Sequence, residues 1–307
     1  MSKITIIIPT FNSSRYLDDA LKSVEAQKLS NYEVIIVDDG STIQEHNAYK
    51  KIITNYSNIN LVRKKNGGAA SARNFGAKYA TGDFLAFLDS DDIWLTKKIT
   101  SQMDIINQSE DIGLVLGNII VADESLKAKY KSAKKIPEQK HKIITNFFQG
   151  KIVMNTPTIL VRKSVFDIVG GFPEDLRYRE DHYFLMSVAD ICKISCDEKY
   201  LTVRRERSGS LSNVKDIETE IEKHSPFWIK SKLHFPFVDI SAAKRRLLIK
   251  LYIYYLRNNR TDDIVKIKTV TWAFDKKYGF LFSLLSNASW FFKMLYRYRI
   301  KIKNVRL

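Results

Sequence analysis

Residues 84–92 read FLAFLDSDD, an apolar run that ends in three aspartates within four positions. A hydrophobic run without alternation is typical of a strand that is covered on both faces, as in a parallel sheet. Similar runs recur upstream with helical patterns between them: strands at residues 4–8, 33–37 and 59–63, and helices at residues 15–27 and 69–80. Repeated strand–helix–strand units predict an α/β fold with a mostly parallel central sheet and helices on both faces.

The second half of the chain has a less regular pattern. Strand patterns occur at residues 112–121, 158–161 and 199–203, and a helical pattern occurs at residues 181–189. Residues 124–142 are polar and rich in lysine, which predicts a mobile loop. After about Asp216 the pattern is wholly helical, and we therefore predict a helical extension behind the α/β region.

Charge is distributed unevenly along the 307 residues, whose net charge is +16. Residues 241–307 contain sixteen Lys and Arg against three Asp and Glu, so the excess lies in the last fifth of the chain. A basic tail fits either nucleic acid or an anionic membrane surface. No helix-turn-helix, RNA-recognition or zinc-finger pattern is present, which disfavours nucleic acid. Cys192 and Cys196 have no further ligands at zinc spacing and are interpreted as reduced core residues of a cytosolic protein.

Three acidic clusters lie next to predicted strand ends or helix starts: Asp38-Asp39, Asp89-Ser90-Asp91-Asp92 and Glu180-Asp181. Ligands of open α/β sheets bind beyond the carboxyl ends of the strands, so we expect the clusters to converge. In an extended segment Asp89 and Asp91 point to one side and offer two hard oxygen ligands to Mn²⁺ or Mg²⁺. The alternative is a solvated acidic turn that caps the next helix.

Residues 66–74, NGGAASARN, combine a glycine pair with a helix start, which suits an anion. The segment lacks the Gly-Lys-Ser/Thr of a nucleotide-binding P-loop. A plain helix with an exposed Arg73 is the alternative interpretation.

Taken together, these segments resemble glycosyltransferase family 2, which has the nucleotide-diphospho-sugar transferase (GT-A) fold. The matching segments follow the family order over roughly the first two-thirds of the chain: IPTFN at 8–12, VDDGS at 37–41, residues 69–76, DSDD at 89–92, GGF at 170–172 and RED at 179–181. The resemblance implies a GT-A domain over residues 1–215, with a nucleotide-sugar half at about 1–110 and an acceptor half at about 111–215. Residues 216–307 form the basic and aromatic helical region.

The resemblance also implies roles for single residues. In the implied nucleotide-sugar site, the pocket is lined by Pro9, Thr10 and Asn12. Asp39 binds uracil, and Arg73 contacts the base or the diphosphate. Ser90 belongs to the same implied site. Asp91 is the implied principal metal ligand, Asp89 reaches the ribose or the metal, and Asp181 is the general base. The resemblance implies a loop that closes on the donor and contacts it through Arg204, Arg205 and Ser210. A solvated basic loop is an equal alternative for this segment.

The implied reaction transfers a hexose (Glc, Gal or GlcNAc) from a UDP-sugar to an acceptor sugar hydroxyl, with inversion to a β linkage. The implied acceptor is a carbohydrate or a lipid-linked sugar, such as a sugar on undecaprenyl diphosphate in O-antigen or capsule synthesis.

Residues 279–298 are aromatic with basic flanks, which suits a helix on an anionic membrane surface or one packed on the protein. The expected location is the cytoplasmic face of the inner membrane. The alternative functions are a sugar-nucleotide-binding protein without transferase activity and, less well supported, a nucleic-acid-binding protein.

Overall fold

A computed structural model describes residues 2–207 and 216–274 of the chain, which divides into two units, residues 1–210 and 211–307. The strands of the first unit are β1 Ile4–Thr10, β2 Tyr32–Asp38, β3 Ile59–Arg63, β4 Phe84–Phe87, β5 Ile93–Trp94, β6 Ile112–Ala122, β7 Ala128–Ser132, β8 Leu160–Arg162 and β9 Lys193–Arg205. Its helices are α1 Ser14–Glu25, α2 Ile43–Ile53, α3 Gly68–Ala77, α4 Lys98–Ile106, α5 Lys140–Phe148, α6 Lys163–Val169 and α7 Glu180–Ile191.

One sheet joins these strands in the order β3-β2-β1-β4-β8-β6-β9-β5, with β7 paired to β6. The strands β1, β2, β3 and β4 are mutually parallel, as the strand–helix alternation predicts. Strand β8 runs antiparallel to both β4 and β6, whereas β9 runs parallel to β6. The mostly parallel α/β arrangement is therefore confirmed, with antiparallel pairings concentrated in the second half.

Helices cover β1 on both faces, which explains its buried isoleucines. Ile6 and Ile8 belong to a core that includes Leu17 and Leu21 of α1. Ile7 faces the other side and approaches α3 so closely that a Cβ on Gly76 would lie 2.7 Å from its Cγ2 atom. Because neither face of β1 meets water, its one polar residue before Pro9, Thr5, is buried and donates to Glu33 at 2.6 Å.

The expectation of a mobile loop at residues 124–142 is wrong. Strand β7 occupies part of this segment and pairs antiparallel with β6, and α5 begins at Lys140. Strand β6 is 11 residues long, and its second half would otherwise leave an edge unpaired. The lysine-rich segment covers that edge with mostly exposed side chains, so it lacks the apolar alternation by which strands are recognised.

The two cysteines are free thiols of intermediate exposure rather than core residues. Cys192 is the C-cap residue of α7, and Cys196 lies within β9. Strand β9 is also longer than predicted, because it continues along β6 past the polar residues that precede residue 199.

The second unit is helical over the residues that the structure describes, as predicted. It contains α8 Ile217–His234, α9 Ile240–Arg257 and α10 Thr261–Phe274. Leu248, Leu251 and Tyr255 of α9 form its core with Ile217 of α8 and Ile267 of α10. Among the described helices, none is both long enough and apolar enough to cross a membrane. The predicted interfacial helix at residues 279–298 lies outside the described residues.

Candidate active site

A chain of hydroxyl groups joins the end of β1 to the acidic turn after β4. The hydroxyl oxygens of Thr10 and Ser13 lie 2.8 Å apart, and the Ser13 hydroxyl oxygen lies 2.8 Å from that of Ser90. All three residues are buried. Ser13 occupies the N-cap position of α1, but its side chain makes no capping hydrogen bond there. Two of the predicted nucleotide-site residues, Thr10 and Ser90, are thus brought together through Ser13.

Asp38 and Asp39 lie at the carboxyl end of β2 and have different surroundings. The Asp38 carboxylate is completely buried, accepts from the Ser41 backbone N–H at 2.8 Å, and lies 2.7 Å from the His46 ring nitrogen. Asp39 faces the start of α3, where its carboxylate accepts from the backbone N–H groups of Gly67 and Gly68 and from the Lys64 ammonium at 2.8 Å. Asp38 therefore supports the turn, whereas Asp39 is held at the helix N-terminus.

The turn between β2 and α2 allows close backbone contact. Gly40 has φ +79°, and a Cβ there would lie 2.7 Å from the backbone nitrogen of Asn66, so only glycine fits. Asn12 has φ +48° and accepts a hydrogen bond from the Thr42 backbone N–H. Pro9 is partly buried at the end of β1, and the side chain of Phe11 is 50% exposed beside it. Phe11 is an exposed aromatic residue at this edge that the sequence analysis did not single out.

The Asp89-Ser90-Asp91-Asp92 segment is a turn, not the extended segment that the alternation argument assumed. The Asp92 backbone N–H donates to the Asp89 carbonyl at 3.0 Å. Burial and the charge of Asp89 raise the pKa of the Asp91 carboxyl. Burial and the charge of Asp91 raise the pKa of Asp92 well above its usual value. The turn thus concentrates negative charge at the carboxyl end of β4.

Arg207 is a site residue that sequence reasoning missed. Its Nε atom lies 2.7 Å from Oδ2 of Asp91. Arg207 lies two positions after the predicted residue Arg205, and side chains two positions apart in an extended segment point to the same side. This spacing was the signal in the sequence that could have identified Arg207. The guanidinium of Arg207 therefore places a positive charge next to the carboxylate that the resemblance implies as the metal ligand.

Arg73 connects the acidic turn to the start of α7. Its guanidinium is buried, donates to Oδ1 of Asp89 at 2.7 Å, and lies 3.3 Å from Oε1 of Glu180. The guanidinium also lies over the Phe172 ring, 5.3 Å from its centroid. Although burial opposes the charge, Asp89 and Glu180 raise the pKa of Arg73 above its usual value. The alternative of an exposed Arg73 on a plain helix is therefore wrong.

The predicted base, Asp181, is the second residue of α7. Arg179, at φ +60°, precedes the helix in the left-handed region, and Oδ1 of Asp181 accepts from the His182 backbone N–H at 2.7 Å. Burial works against ionisation, but the charge and hydrogen bonds of His182 lower the pKa of Asp181 to about 2. Burial and the charge of Asp181 raise the pKa of Glu180 to about 7. The two neighbouring carboxyls thus have opposite shifts.

The predicted donor-loop residues lie in two different settings. Arg205 is buried, and its guanidinium donates to Asp19 at 2.7 Å and to the backbone carbonyls of Asp91 and Glu124. Arg204 pairs with Glu206 at 2.7 Å. Ser210 lies outside the described residues. Arg205 therefore stabilises the acidic turn through a hydrogen bond to its backbone.

Helix α3 contacts all three acidic clusters. Its N-terminus binds Asp39, its Arg73 binds Asp89 and Glu180, and its Asn74 exchanges hydrogen bonds with Phe172. A Cβ on Gly171 would lie 2.5 Å from Oδ1 of Asn74, which explains the glycine in that turn. The predicted convergence of the three clusters thus depends on one helix.

The acidic turn has the donor chemistry of a divalent cation site. Asp89 and Asp91 present carboxylate oxygens, and their side chains are 31% and 18% exposed. Over residues 2–207 and 216–274, no group of three or more His, Cys, Asp or Glu converges on one point. Two hard oxygen ligands suit Mg²⁺ or Mn²⁺ when phosphate and water complete the shell. The residues present fit such an ion.

The fold is that of a GT-A protein, and a solved structure supports this assignment. The chain aligns with the crystal structure of S. aureus TarS 1-349 at a TM-score of 0.60 and 22% identity, over 82% of this chain and 72% of that one. The sequence profile of Glycosyl transferase family 2 matches residues 5–169. This chain belongs to that family.

Two curated relatives place the chain among bacterial glycosyltransferases. An uncharacterized glycosyltransferase of Rickettsia typhi is 24% identical over 83% of this chain and 80% of its own length. The Escherichia coli UDP-Glc:alpha-D-GlcNAc-diphosphoundecaprenol beta-1,3-glucosyltransferase WfgD is 29% identical over 68% of this chain and 80% of its own length.

Proposed function

We propose that this glycosyltransferase moves a hexose (Glc, Gal or GlcNAc) from a UDP-sugar to a hydroxyl group of an acceptor sugar, with inversion to a β linkage. The observation that carries this proposal is the buried Arg73, which joins Asp89 of the acidic turn to Glu180 beside Asp181. One side chain thereby connects the turn that would bind the diphosphate to the residue next to the proposed base. Residues 1–110 would bind the donor and residues 111–215 the acceptor.

The donor site is built around the ends of β1 and β2. Lys64, Gly67 and Gly68 already donate to Asp39 through four contacts, two at each carboxylate oxygen. The imide N–H of uracil would replace one of them, and the contact of Gly67 with Oδ2, at 3.2 Å, is the longest. The exposed Phe11 ring offers a face on which a base can stack. Support for a uridine nucleotide comes from the TarS 1-349 structure in complex with UDP-GlcNAc, which aligns at a TM-score of 0.58.

Asp91, with Asp89, would hold Mn²⁺ or Mg²⁺ at the acidic turn. The bound ion would neutralise charge on the departing nucleoside diphosphate. Arg73 and Arg207 already contact these carboxylates and would contribute further positive charge near the diphosphate. Asp181 would accept the proton of the attacking hydroxyl group, and no second carboxylate nucleophile is required for a single displacement.

The proposed acceptor is a sugar linked to a lipid diphosphate. The name of the WfgD relative specifies a sugar linked to diphosphoundecaprenol, which favours a lipid-linked sugar diphosphate acceptor for this chain. Such an acceptor belongs to the synthesis of surface polysaccharides such as O-antigen or capsule. It would place the enzyme at the cytoplasmic face of the inner membrane.

The decisive experiment is a donor and acceptor screen. The purified protein is incubated with Mn²⁺, each of UDP-glucose, UDP-galactose and UDP-N-acetylglucosamine, and synthetic sugar-diphosphate-lipid acceptors. We expect acceptor-dependent UDP release with one donor and a product heavier by one hexosyl residue. Tight UDP-sugar binding without any transfer would instead favour a sugar-nucleotide-binding protein.

The second unit supports the proposed membrane contact through an exposed apolar surface formed by the end of α8 and the turn that follows it. Ile229, Leu233 and Phe237 are 59%, 79% and 55% exposed. Ile229 and Leu233 are four residues apart and share one helix face. Residues 216–274 contain eleven Lys and Arg against seven Asp and Glu. Apolar side chains on a basic helical unit match the chemistry of an anionic lipid surface.

We expect the double substitution Ile229→Asp with Leu233→Asp to weaken binding to anionic vesicles at least about tenfold. Two apolar side chains that enter the interface each contribute on the order of 1 kcal/mol, and two added carboxylates repel the lipid. The measurement is co-sedimentation with phosphatidylserine-containing vesicles at low salt. Ile168→Asp, at a 72% exposed position of α6, is the matched control. Equal binding of the double variant and the control would exclude this surface.

A further inference from the structure

His182 makes two contacts with a single oxygen of the proposed base. Its backbone N–H donates to Oδ1 of Asp181 at 2.7 Å, and its ring Nδ1 lies 2.9 Å from the same atom. Within the described residues, no hydrogen bond to Oδ2 of Asp181 is present, and the Asp181 side chain is 18% exposed. The two oxygens of this carboxylate are therefore not equivalent.

The His182 ring is held in place by neighbouring residues. It meets the buried ring of Phe147 edge-on, with the centroids 6.5 Å apart and an interplanar angle of 86°. Arg179 donates to the backbone carbonyls of Phe147 and Phe148, which ties the end of α5 to the start of α7. The position of Nδ1 is thus fixed by packing as well as by its contact with Asp181.

The chemistry of the pair fixes the location of one proton. An ionised carboxylate can only accept, so Nδ1 of His182 carries the hydrogen in this contact. Two donors then occupy Oδ1, and Oδ2 is the oxygen left to receive a proton from a substrate. Protonation at Nε2 would make the ring a cation without altering the Nδ1 contact.

We propose that His182 is a positioning residue that holds Oδ1 of Asp181, presents Oδ2 to the acceptor hydroxyl, and sets the basicity of Asp181 by its own charge. This inference rests on the proposed function. In the transfer step the hydroxyl proton moves to Oδ2 and the hydroxyl oxygen bonds to the anomeric carbon. The bond from that carbon to the diphosphate oxygen breaks, and its electron pair leaves with UDP. His182 keeps its Nδ1 proton throughout.

The proposal predicts the direction of the pH dependence. A cationic His182 stabilises the carboxylate of Asp181 and weakens it as a base, so deprotonation of His182 strengthens the base. Activity should therefore rise with pH through the titration of His182, whose ordinary pKa is about 6.5. Among the described residues, the charged groups that contact or adjoin the start of α7 include Glu180, Arg73 and Arg179. Of these, Glu180 has a pKa raised by burial to about 7 and titrates in the same range.

Three variants separate His182 from Glu180 in the pH profile of kcat. His182→Asn keeps a neutral donor for Oδ1, so we expect the rise with pH to flatten while kcat at high pH stays within about threefold. His182→Leu removes the donor and should lower kcat about tenfold to a hundredfold, with little change in KM for the UDP-sugar. Glu180→Gln should keep the rise. Loss of the rise in Glu180→Gln but not in His182→Asn would overturn the proposal.

A spectroscopic measurement tests the same contact without turnover. Long-range proton–nitrogen spectra of protein labelled with ¹⁵N-histidine report which ring nitrogen is protonated, and the His182→Asn spectrum assigns the signal among the five histidines. We expect His182 to be protonated at Nδ1, and a ring protonated only at Nε2 would refute the contact. Full transfer by Asp181→Asn would instead reject the proposed base, so the two failures are distinguishable.

Discussion

Replacing Asp181 with asparagine should reduce sugar transfer by about a hundredfold to ten-thousandfold while leaving UDP-sugar binding nearly unchanged. Loss of a positioned general base typically costs this much. An asparagine oxygen can still accept from the His182 backbone N–H, so the start of α7 should remain intact. Transfer is followed by UDP release at saturating acceptor, and donor binding is followed by titration calorimetry.

Asp190→Asn is the matched control because it changes the same residue type on the same helix. Asp190 pairs with Lys140 on the surface, and an exposed pair of this kind contributes little to stability. If Asp181→Asn retained turnover within about threefold of the wild type, the base would have to be another group. Glu180, with its pKa near 7, would then be the next residue to test.

Replacing Asp91 with asparagine should abolish metal-stimulated transfer, with a loss on the order of a thousandfold. The change removes one hard oxygen ligand and one charge, and about 4 kcal/mol of transition-state stabilisation corresponds to that factor. The free energy of unfolding of Asp91→Asn should be equal to or higher than that of the wild type. Asp91 is buried beside Asp89, and both conditions disfavour its charge in the folded protein. We therefore expect a melting temperature that does not fall.

Binding measurements separate this prediction from a general loss of folding. In the wild type, Mn²⁺ should tighten the binding of UDP and a chelator should reverse that effect, whereas Asp91→Asn should show neither response. Asp167→Asn, on the exposed face of α6, should behave as the wild type. A Mn²⁺ response in Asp91→Asn equal to that of the wild type would remove Asp91 from the metal site.

The sequence predicts β1, β2 and β4 well because most of their residues are buried. The run at residues 4–8 identifies β1 because Ile6 and Ile7 face opposite covered surfaces. Residues 124–142 were misinterpreted because β7 lies at an edge, where lysine is favoured and alternation is lost. Helix α2 was missed because Tyr49 is the single residue that it buries, which leaves no apolar stripe to recognise.

The sequence predicted where the candidate site residues lie in the fold but not which residues they contact. The motif spacing indicated that Asp39, Arg73 and Asp181 lie at one edge of the sheet. It gave no information on the contact of Arg73 with Glu180, 107 positions away. The hydrogen bonds that Asp39 accepts from Lys64 and two glycine amides were equally hidden, because they depend on the local path of residues 64–68. Such contacts follow from tertiary packing and have no local signature.

The contacts of α3 limit how this chain can change in length. An α-helix turns by about 100° for each residue, so one residue inserted between Gly68 and Arg73 would rotate the guanidinium away from Asp89 and Glu180. A deletion would do the same in the opposite sense. Recombination between relatives is therefore restricted to junctions outside residues 67–77. The turn between β6 and β7 is restricted as well, because its Glu124 carbonyl accepts a hydrogen bond from Arg205.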